Sequence, residues 1–64
     1  MPMIRVEMFS GRSHEQKQKL VKALTDAFIE TAGGTPESVQ IILTDVEKEH
    51  WSVSGKLKSD SQSN

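Results

Sequence analysis

The sequence contains no cysteine and no tyrosine, and it has only one tryptophan and two histidines. Without cysteine, neither a disulfide nor a thiolate metal site can form. The two histidines, His14 and His50, lie far apart and lack the close ligand spacing that is typical of zinc sites. The sequence therefore predicts no metal site.

The chain also lacks an excess of charge and any long apolar run. Its formal net charge is −1, with acidic and basic residues interspersed, which gives no electrostatic reason to bind nucleic acid or an anionic membrane. The apolar residues at the amino terminus are interrupted by Arg5 and Glu7 and are too few for a signal peptide or a membrane span. We therefore expect a cytoplasmic protein that binds neither nucleic acid nor membrane.

The length of the chain limits how it can be stabilised. A chain of 64 residues forms one domain, residues 1–64, whose single hydrophobic core is marginal unless disulfides, metals or oligomerisation add stability. Because the composition excludes disulfides and disfavours metals, the sequence predicts a homo-oligomer.

The first two elements are predicted from periodicity and capping. Residues 3–9 alternate in polarity, which is typical of a half-buried strand. Ser13 and Gln16 form a capping-box pattern, so a helix should begin near His14 and end at the glycine pair of residues 33–34. One strand face carries Ile4, Val6 and Met8, and the other carries Met3, Arg5, Glu7 and Phe9.

Residues 39–44 are predicted to form a second strand with apolar side chains on both faces. The order strand, helix, strand is a β-α-β unit of the α/β class, in which the helix carries the chain back and the two strands run parallel. A two-stranded sheet covered by one helix leaves an apolar face and open edges in water. We therefore expect the sheets of several protomers to join, with Pro2 near a subunit interface.

The carboxy-terminal part is predicted from its turn residues. Residues 45–49 form a charged connection, and residues 50–55 form a short hairpin or arm. From about residue 57 to residue 64 the chain has little apolar surface to bury, so we expect a flexible tail.

Pro2 stands immediately before the first strand. If Met1 is removed, Pro2 carries a free secondary amine instead of the tertiary amide of an internal proline. Burial in an apolar pocket beside a cation lowers the pKa of such an amine, so that it accepts protons near neutral pH. The alternative is that Pro2 merely starts an edge strand, where proline is tolerated.

Taken together, these motifs resemble the 4-oxalocrotonate tautomerase family. The features in common are Met1-Pro2 leading into a strand, Gly11-Arg12-Ser13 before the helix, Ser38-Val39 opening the second strand, His50-Trp51 and Gly55. The resemblance implies β-α-β protomers that pair into dimers and assemble further into a hexamer. It also implies cofactor-independent keto-enol tautomerisation of a small carboxylate substrate, with removal of the initiator methionine and aromatic degradation as the setting.

The resemblance assigns roles to particular residues. Pro2 matches the general base, Arg12 matches an arginine that binds the substrate carboxylate, and Trp51 stands where the family has an aromatic residue that keeps the amine dry. Taken alone, Arg12 favours a solvated turn residue and Trp51 favours core or interface packing, and it is the resemblance that assigns them to a site. A guanidinium can hold a carboxylate bidentately and stabilise negative charge on an enol oxygen.

The chain departs from the family pattern in the second strand. Gln40 occupies the position of a second arginine in the best-known members, so a substrate-binding side chain there is uncharged. We therefore expect a 2-hydroxydienoate or related enol acid with one carboxylate, or a slower and broader tautomerase. Residues 52–54 supply no carboxylate to activate water, which disfavours hydrolytic dehalogenation. The alternatives are a catalytically silent oligomeric paralogue that binds a small acid or a protein, and a β-α-β scaffolding module.

Overall fold

The first strand, β1, spans Met3–Phe9 in the computed structural model, which describes residues 1–60. Its side chains alternate between exposed and at least half-buried until Met8, as the alternating polarity predicted. The hydrogen bond from Ser10 N to Val46 O (3.1 Å) extends the pairing one residue past the strand.

The helix, α1, spans His14–Ala32 and has the predicted ends. The Ser13 hydroxyl accepts from the Gln16 backbone N–H (3.1 Å), and the Gln16 side chain accepts from the Ser13 N–H (2.9 Å), which completes the capping box. At the other end Gly33 has a φ of 87° and donates its N–H to Ile29 O (2.9 Å). Only glycine adopts this conformation at little cost, so the helix ends here.

The second strand, β2, spans Gln40–Val46 and pairs with β1 in parallel, with Met3 opposite Gln40 and Phe9 opposite Val46. A 3₁₀ turn over Pro36–Ser38 precedes it. The predicted end of this strand at residue 44 was too early. Asp45 continues the pairing opposite Met8, and its carboxylate binds Lys17 Nζ of α1 at 2.6 Å, which accounts for a charged residue within a strand.

A short hairpin closes the described chain, as predicted. After a 3₁₀ turn over Lys48–His50, β3 (Ser52–Val53) pairs antiparallel with β4 (Lys56–Leu57). Both residues between these strands have positive φ, 56° and 78°, the conformation that two-residue hairpin turns favour. The tail predicted from about residue 57 overlaps β4, and residues 61–64 of that tail lie outside the described residues.

The sheet has two unlike faces. Side chains of one face lie against α1, and among residues 1–60 Met8 has the lowest exposure, at 8%. The other face, which we call the open sheet face, retains exposed apolar side chains, with Met3 at 43% and Ile42 at 41%. This face consists of Met3, Arg5, Glu7 and Phe9 of β1 and Gln40, Ile42, Thr44 and Val46 of β2.

A single chain is extended and has a large surface. Its radius of gyration is 15.1 Å, whereas a compact chain of this length has about 10–11 Å. Its accessible surface is 4993 Å², several hundred Å² above the roughly 4,100 Å² typical of a folded monomer of this mass. The helices within residues 1–60 are too short or too polar to cross a bilayer.

Candidate active site

Pro2 lies at the mouth of β1 and is half-buried. Its carbonyl oxygen accepts the Gln40 backbone N–H at 3.1 Å, so the sheet holds the residue through its carboxyl side. The ring nitrogen has no role in the strand pairing. Met1, which precedes it, is 86% exposed, so little packing would be lost if Met1 were removed.

Gln40 is the direct neighbour of Pro2. It begins β2 opposite Met3, and its side chain is exposed. Its Nε2 donates to Met1 Sδ at 3.5 Å, a contact that exists only while Met1 is present. The Gln40 side-chain amide therefore lies near Pro2. If Met1 is removed, this amide can bind another group.

Arg12 lies at the opposite end of β1, in the turn before α1. Its Nη1 donates to Phe9 O at 2.9 Å, which fixes the guanidinium over the end of the strand. Arg12 is exposed, and no other hydrogen bond or ion pair to it forms within residues 1–60. Since a guanidinium carries five N–H donors, most of them remain available to a carboxylate.

Trp51 follows the second 3₁₀ turn and packs on Phe9, with ring centroids 4.5 Å apart and planes inclined at 55°. Its backbone oxygen accepts from Lys58 N at 2.7 Å, so the hairpin holds the residue in place. Lys48 Nζ lies 5.5 Å from the Phe9 ring centroid on the same cluster. The indole is thereby positioned at the end of the sheet where Arg12 lies.

A pocket of about 270 Å³ opens beside Trp51 at this end of the open sheet face. Glu7 and Val46 come from the sheet, and the turn and hairpin supply the rest of the wall. The residues lining it are Glu7, Val46, His50, Trp51 and Ser52. Within residues 1–60 no group of three histidine, aspartate or glutamate side chains is placed to hold a metal ion.

The predicted site residues form two groups within one chain. Pro2 and Gln40 lie at the amino-terminal end of β1, which we call the proline end, and Arg12 and Trp51 lie at the carboxy-terminal end, the arginine end. Six strand steps separate these ends by about 20 Å. One chain therefore does not bring Pro2 and Arg12 together around a small substrate.

Sequence reasoning overlooked Phe9 and Glu7 as candidate site residues. Phe9 connects Arg12 to Trp51, and Glu7 lines the pocket. Their signal was present in the alternation of β1, which places both on the face away from the helix. The alternation could not predict that Trp51 lies beside them, because the position of Trp51 depends on the packing of the hairpin.

The fold and the candidate site together define a class of small subunits. Members of this class are parallel β-α-β units with a proline just before the first strand and an arginine in the turn before the capped helix. Residues 2–61 match the family model of the tautomerase enzymes. The 2-hydroxymuconate tautomerase of Bacillus subtilis is 40% identical over 60 residues, which cover 94% of this chain and 98% of the relative.

Solved structures agree with this match. TomN, a 4-oxalocrotonate tautomerase homologue of the tomaymycin biosynthetic pathway, superposes with a TM-score of 0.94 at 35% identity, over 98% of this chain and 97% of that chain. A heterohexameric 4-oxalocrotonate tautomerase from Chloroflexus aurantiacus superposes with a TM-score of 0.88 at 33% identity, over 94% and 97%. The chain belongs to the tautomerase family, which confirms the resemblance to the 4-oxalocrotonate tautomerases.

Proposed function

We propose that this protein is a cofactor-independent keto-enol tautomerase that acts on a 2-hydroxydienoate or related enol acid. After removal of Met1, the Pro2 amine is the general base. Arg12 holds the substrate carboxylate, Trp51 keeps water from the amine, and the Gln40 amide contacts the substrate beside Pro2. The single observation that carries the proposal is that the match to the tautomerase family begins at Pro2.

The chemistry needs one proton carrier and one site for negative charge. The neutral Pro2 amine takes the proton from the enol hydroxyl and returns it to a carbon of the conjugated system, so the product is the keto isomer and the base is regenerated. The Arg12 guanidinium stabilises the negative charge that develops between these two transfers. No redox step or covalent intermediate is required.

The site is proposed to form between two chains. Because Pro2 and Arg12 lie about 20 Å apart along β1, they can meet only if a neighbouring chain brings its own arginine end to the proline end of the first. A two-fold axis perpendicular to the strands, with the open sheet faces in contact, makes β1 of the two chains antiparallel and places the proline end of one chain against the arginine end of the other. The apolar side chains of this face and the large surface of the single chain support such a pairing, since a standard interface buries about 800 Å² per partner.

The experiment compares the demethionylated wild type with Pro2→Ala in a ketonisation assay on phenylenolpyruvate, with intact mass confirming the loss of Met1. We expect Pro2→Ala to lower kcat/KM about 100-fold, because its terminal amine is primary and no longer held in place by the ring, and a positioned general base contributes about that much. Pro36→Ala is the matched control, because it makes the same substitution in the turn before β2.

A second pair of samples tests whether the amine itself is required. A chain with two extra residues before Pro2 keeps the ring but has a non-basic amide nitrogen, so it should be at least as inactive as Pro2→Ala, which keeps a primary amine. If fully demethionylated wild type has no activity, the alternative of a catalytically silent paralogue that binds a small acid or a protein is favoured.

A further inference from the structure

Glu7 is a charged group with no partner in the pocket of the arginine end. It lies on the open sheet face opposite Thr44 and lines the pocket with Val46 and the turn and hairpin residues. With histidine counted as neutral, Glu7 is the one charged side chain among the five that line it. Within residues 1–60 no hydrogen bond or ion pair reaches its carboxylate, not even from Arg5 on the same face.

The position of Glu7 relative to Arg12 follows from the strand. Arg12 Nη1 binds Phe9 O at 2.9 Å, and Phe9 is two residues beyond Glu7 on the same face, so their Cα atoms are about 6–7 Å apart. Trp51 lines the pocket and also packs on Phe9 at 4.5 Å. A six-carbon acid held by Arg12 is long enough to cross Phe9 and bring its far end to Glu7.

We propose that Glu7 determines substrate specificity and selects enol acids with a single carboxylate, whose far end is neutral or donates a hydrogen bond. This inference rests on the proposed function. A second carboxylate at the far end of the substrate would lie close to the Glu7 carboxylate, in a pocket whose lining residues within 1–60 include no lysine or arginine. The Lys48 ammonium lies outside that lining, 5.5 Å from the centroid of the Phe9 ring. A hydroxyl or amide at the far end of the substrate would instead donate to Glu7.

The electrostatic effect is large enough to measure. Two like charges about 6 Å apart at the effective dielectric constant of a site near the surface repel enough to change an affinity about tenfold or more. The Gln40 amide, which the proposed pairing brings to the same site beside the neighbouring chain's Pro2, is uncharged and does not offset this repulsion. Both features disfavour dicarboxylates such as 2-hydroxymuconate.

The experiment measures kcat/KM for 2-hydroxymuconate and for phenylenolpyruvate in wild type, Glu7→Gln and Glu7→Asp, all as the full chain without Met1. The ratio of the two values within one sample cancels differences in the amount of assembled protein. We expect Glu7→Gln to raise the ratio of dicarboxylate to monocarboxylate about tenfold, and Glu7→Asp to keep it near the wild-type value.

Glu49→Gln is the control, because it removes the same charge from an exposed residue next to the pocket that does not line it. The specificity proposal is overturned if Glu7→Gln leaves the ratio within twofold of wild type, as it would if a neighbouring chain's cation neutralised Glu7. It is also overturned if Glu49→Gln changes the ratio equally. These outcomes are separate from a failure of the proposed function, in which wild type turns over neither substrate.

Discussion

At the scale of single residues, two side chains of the proposed site, Arg12 and Gln40, are left exposed by the fold. The side chains of Arg12 and Gln40 make one hydrogen bond each within residues 1–60. Substitutions at such positions usually change the free energy of unfolding by no more than about 0.5 kcal/mol. Effects on activity can therefore be separated from effects on folding.

Arg12→Ala is expected to lower kcat/KM for phenylenolpyruvate about 100-fold, because the carboxylate loses its charged partner. Arg12→Lys should restore only part of the activity, since an ammonium cannot bind a carboxylate bidentately. Steady-state kinetics measures kcat/KM for each variant, and thermal unfolding checks that each variant is folded. Lys19→Ala, a change on the exposed side of α1, should have no effect, and a wild-type kcat/KM in Arg12→Ala would remove Arg12 from the site.

Gln40→Arg is expected to raise kcat/KM for 2-hydroxymuconate about tenfold, because a second guanidinium beside Pro2 adds a charged hydrogen bond to the substrate. The gain with phenylenolpyruvate should be smaller if that substrate's one carboxylate is already held by Arg12. Parallel kinetics on the two substrates measures the difference. An equal or absent gain on both substrates contradicts the role given to this position.

At the scale of elements, the capping box connects the stability of α1 to the position of Arg12. Ser13 caps the helix through two reciprocal hydrogen bonds and directly follows Arg12 in the chain. The turn between β1 and α1 is therefore anchored on its helix side by the cap and on its strand side by the Arg12 contact with Phe9.

Ser13→Ala is expected to destabilise the protein by about 1 kcal/mol, the usual cost of losing a serine cap, which corresponds to a fall in Tm of about 4–8 °C for a chain of this size. Thermal unfolding at a fixed protomer concentration measures it, because oligomers unfold in a concentration-dependent way. Ser59→Ala is the control, as its side chain has no hydrogen bond within residues 1–60. Equal Tm values for both variants would contradict the capping argument.

At the scale of the whole molecule, the open sheet face is central to the proposal. It carries exposed apolar side chains such as Met3 and Ile42. It also supplies two of the residues that line the pocket, Glu7 and Val46. If two chains pair through it, assembly and catalysis depend on the same surface.

Ile42→Lys is expected to convert the assembly to smaller species and to abolish activity, because it buries an unpaired ammonium in an apolar interface. Sedimentation velocity measures the size. Ala23→Lys is the control, because Ala23 lies on the exposed surface of α1, and it should change neither the size of the assembly nor the activity. Wild-type size in Ile42→Lys would show that the chains do not pair through this face.

Mixing tests whether the site is shared. Pro2→Ala and Arg12→Ala are each expected to be nearly inactive, but after unfolding and refolding an equal mixture should recover about a quarter of the wild-type activity. Half of randomly formed two-fold pairs would contain both variants, and each of these pairs has one intact site out of two. Activity no higher than the sum of the two separate variants would contradict a site built from two chains.

The sequence by itself determined the elements of this protein and the residues that carry its resemblance to a family. Strand alternation, the capping box and the glycine stop act over a few residues, so residues 3–9 and the helix from His14 could be predicted from local pattern alone. The continuation of β2 through Asp45 could not, because it depends on a contact with Lys17 on another element.

Only the tertiary structure decided where the site residues lie relative to one another. The parallel register places Pro2 beside Gln40, and the packing of the hairpin places Trp51 on Phe9 and opens a pocket beside Glu7. The physical reason is distance: β1 is a strand about 20 Å long, and its length separates Pro2 from Arg12 within one chain. The residue types alone do not give the distance between Pro2 and Arg12.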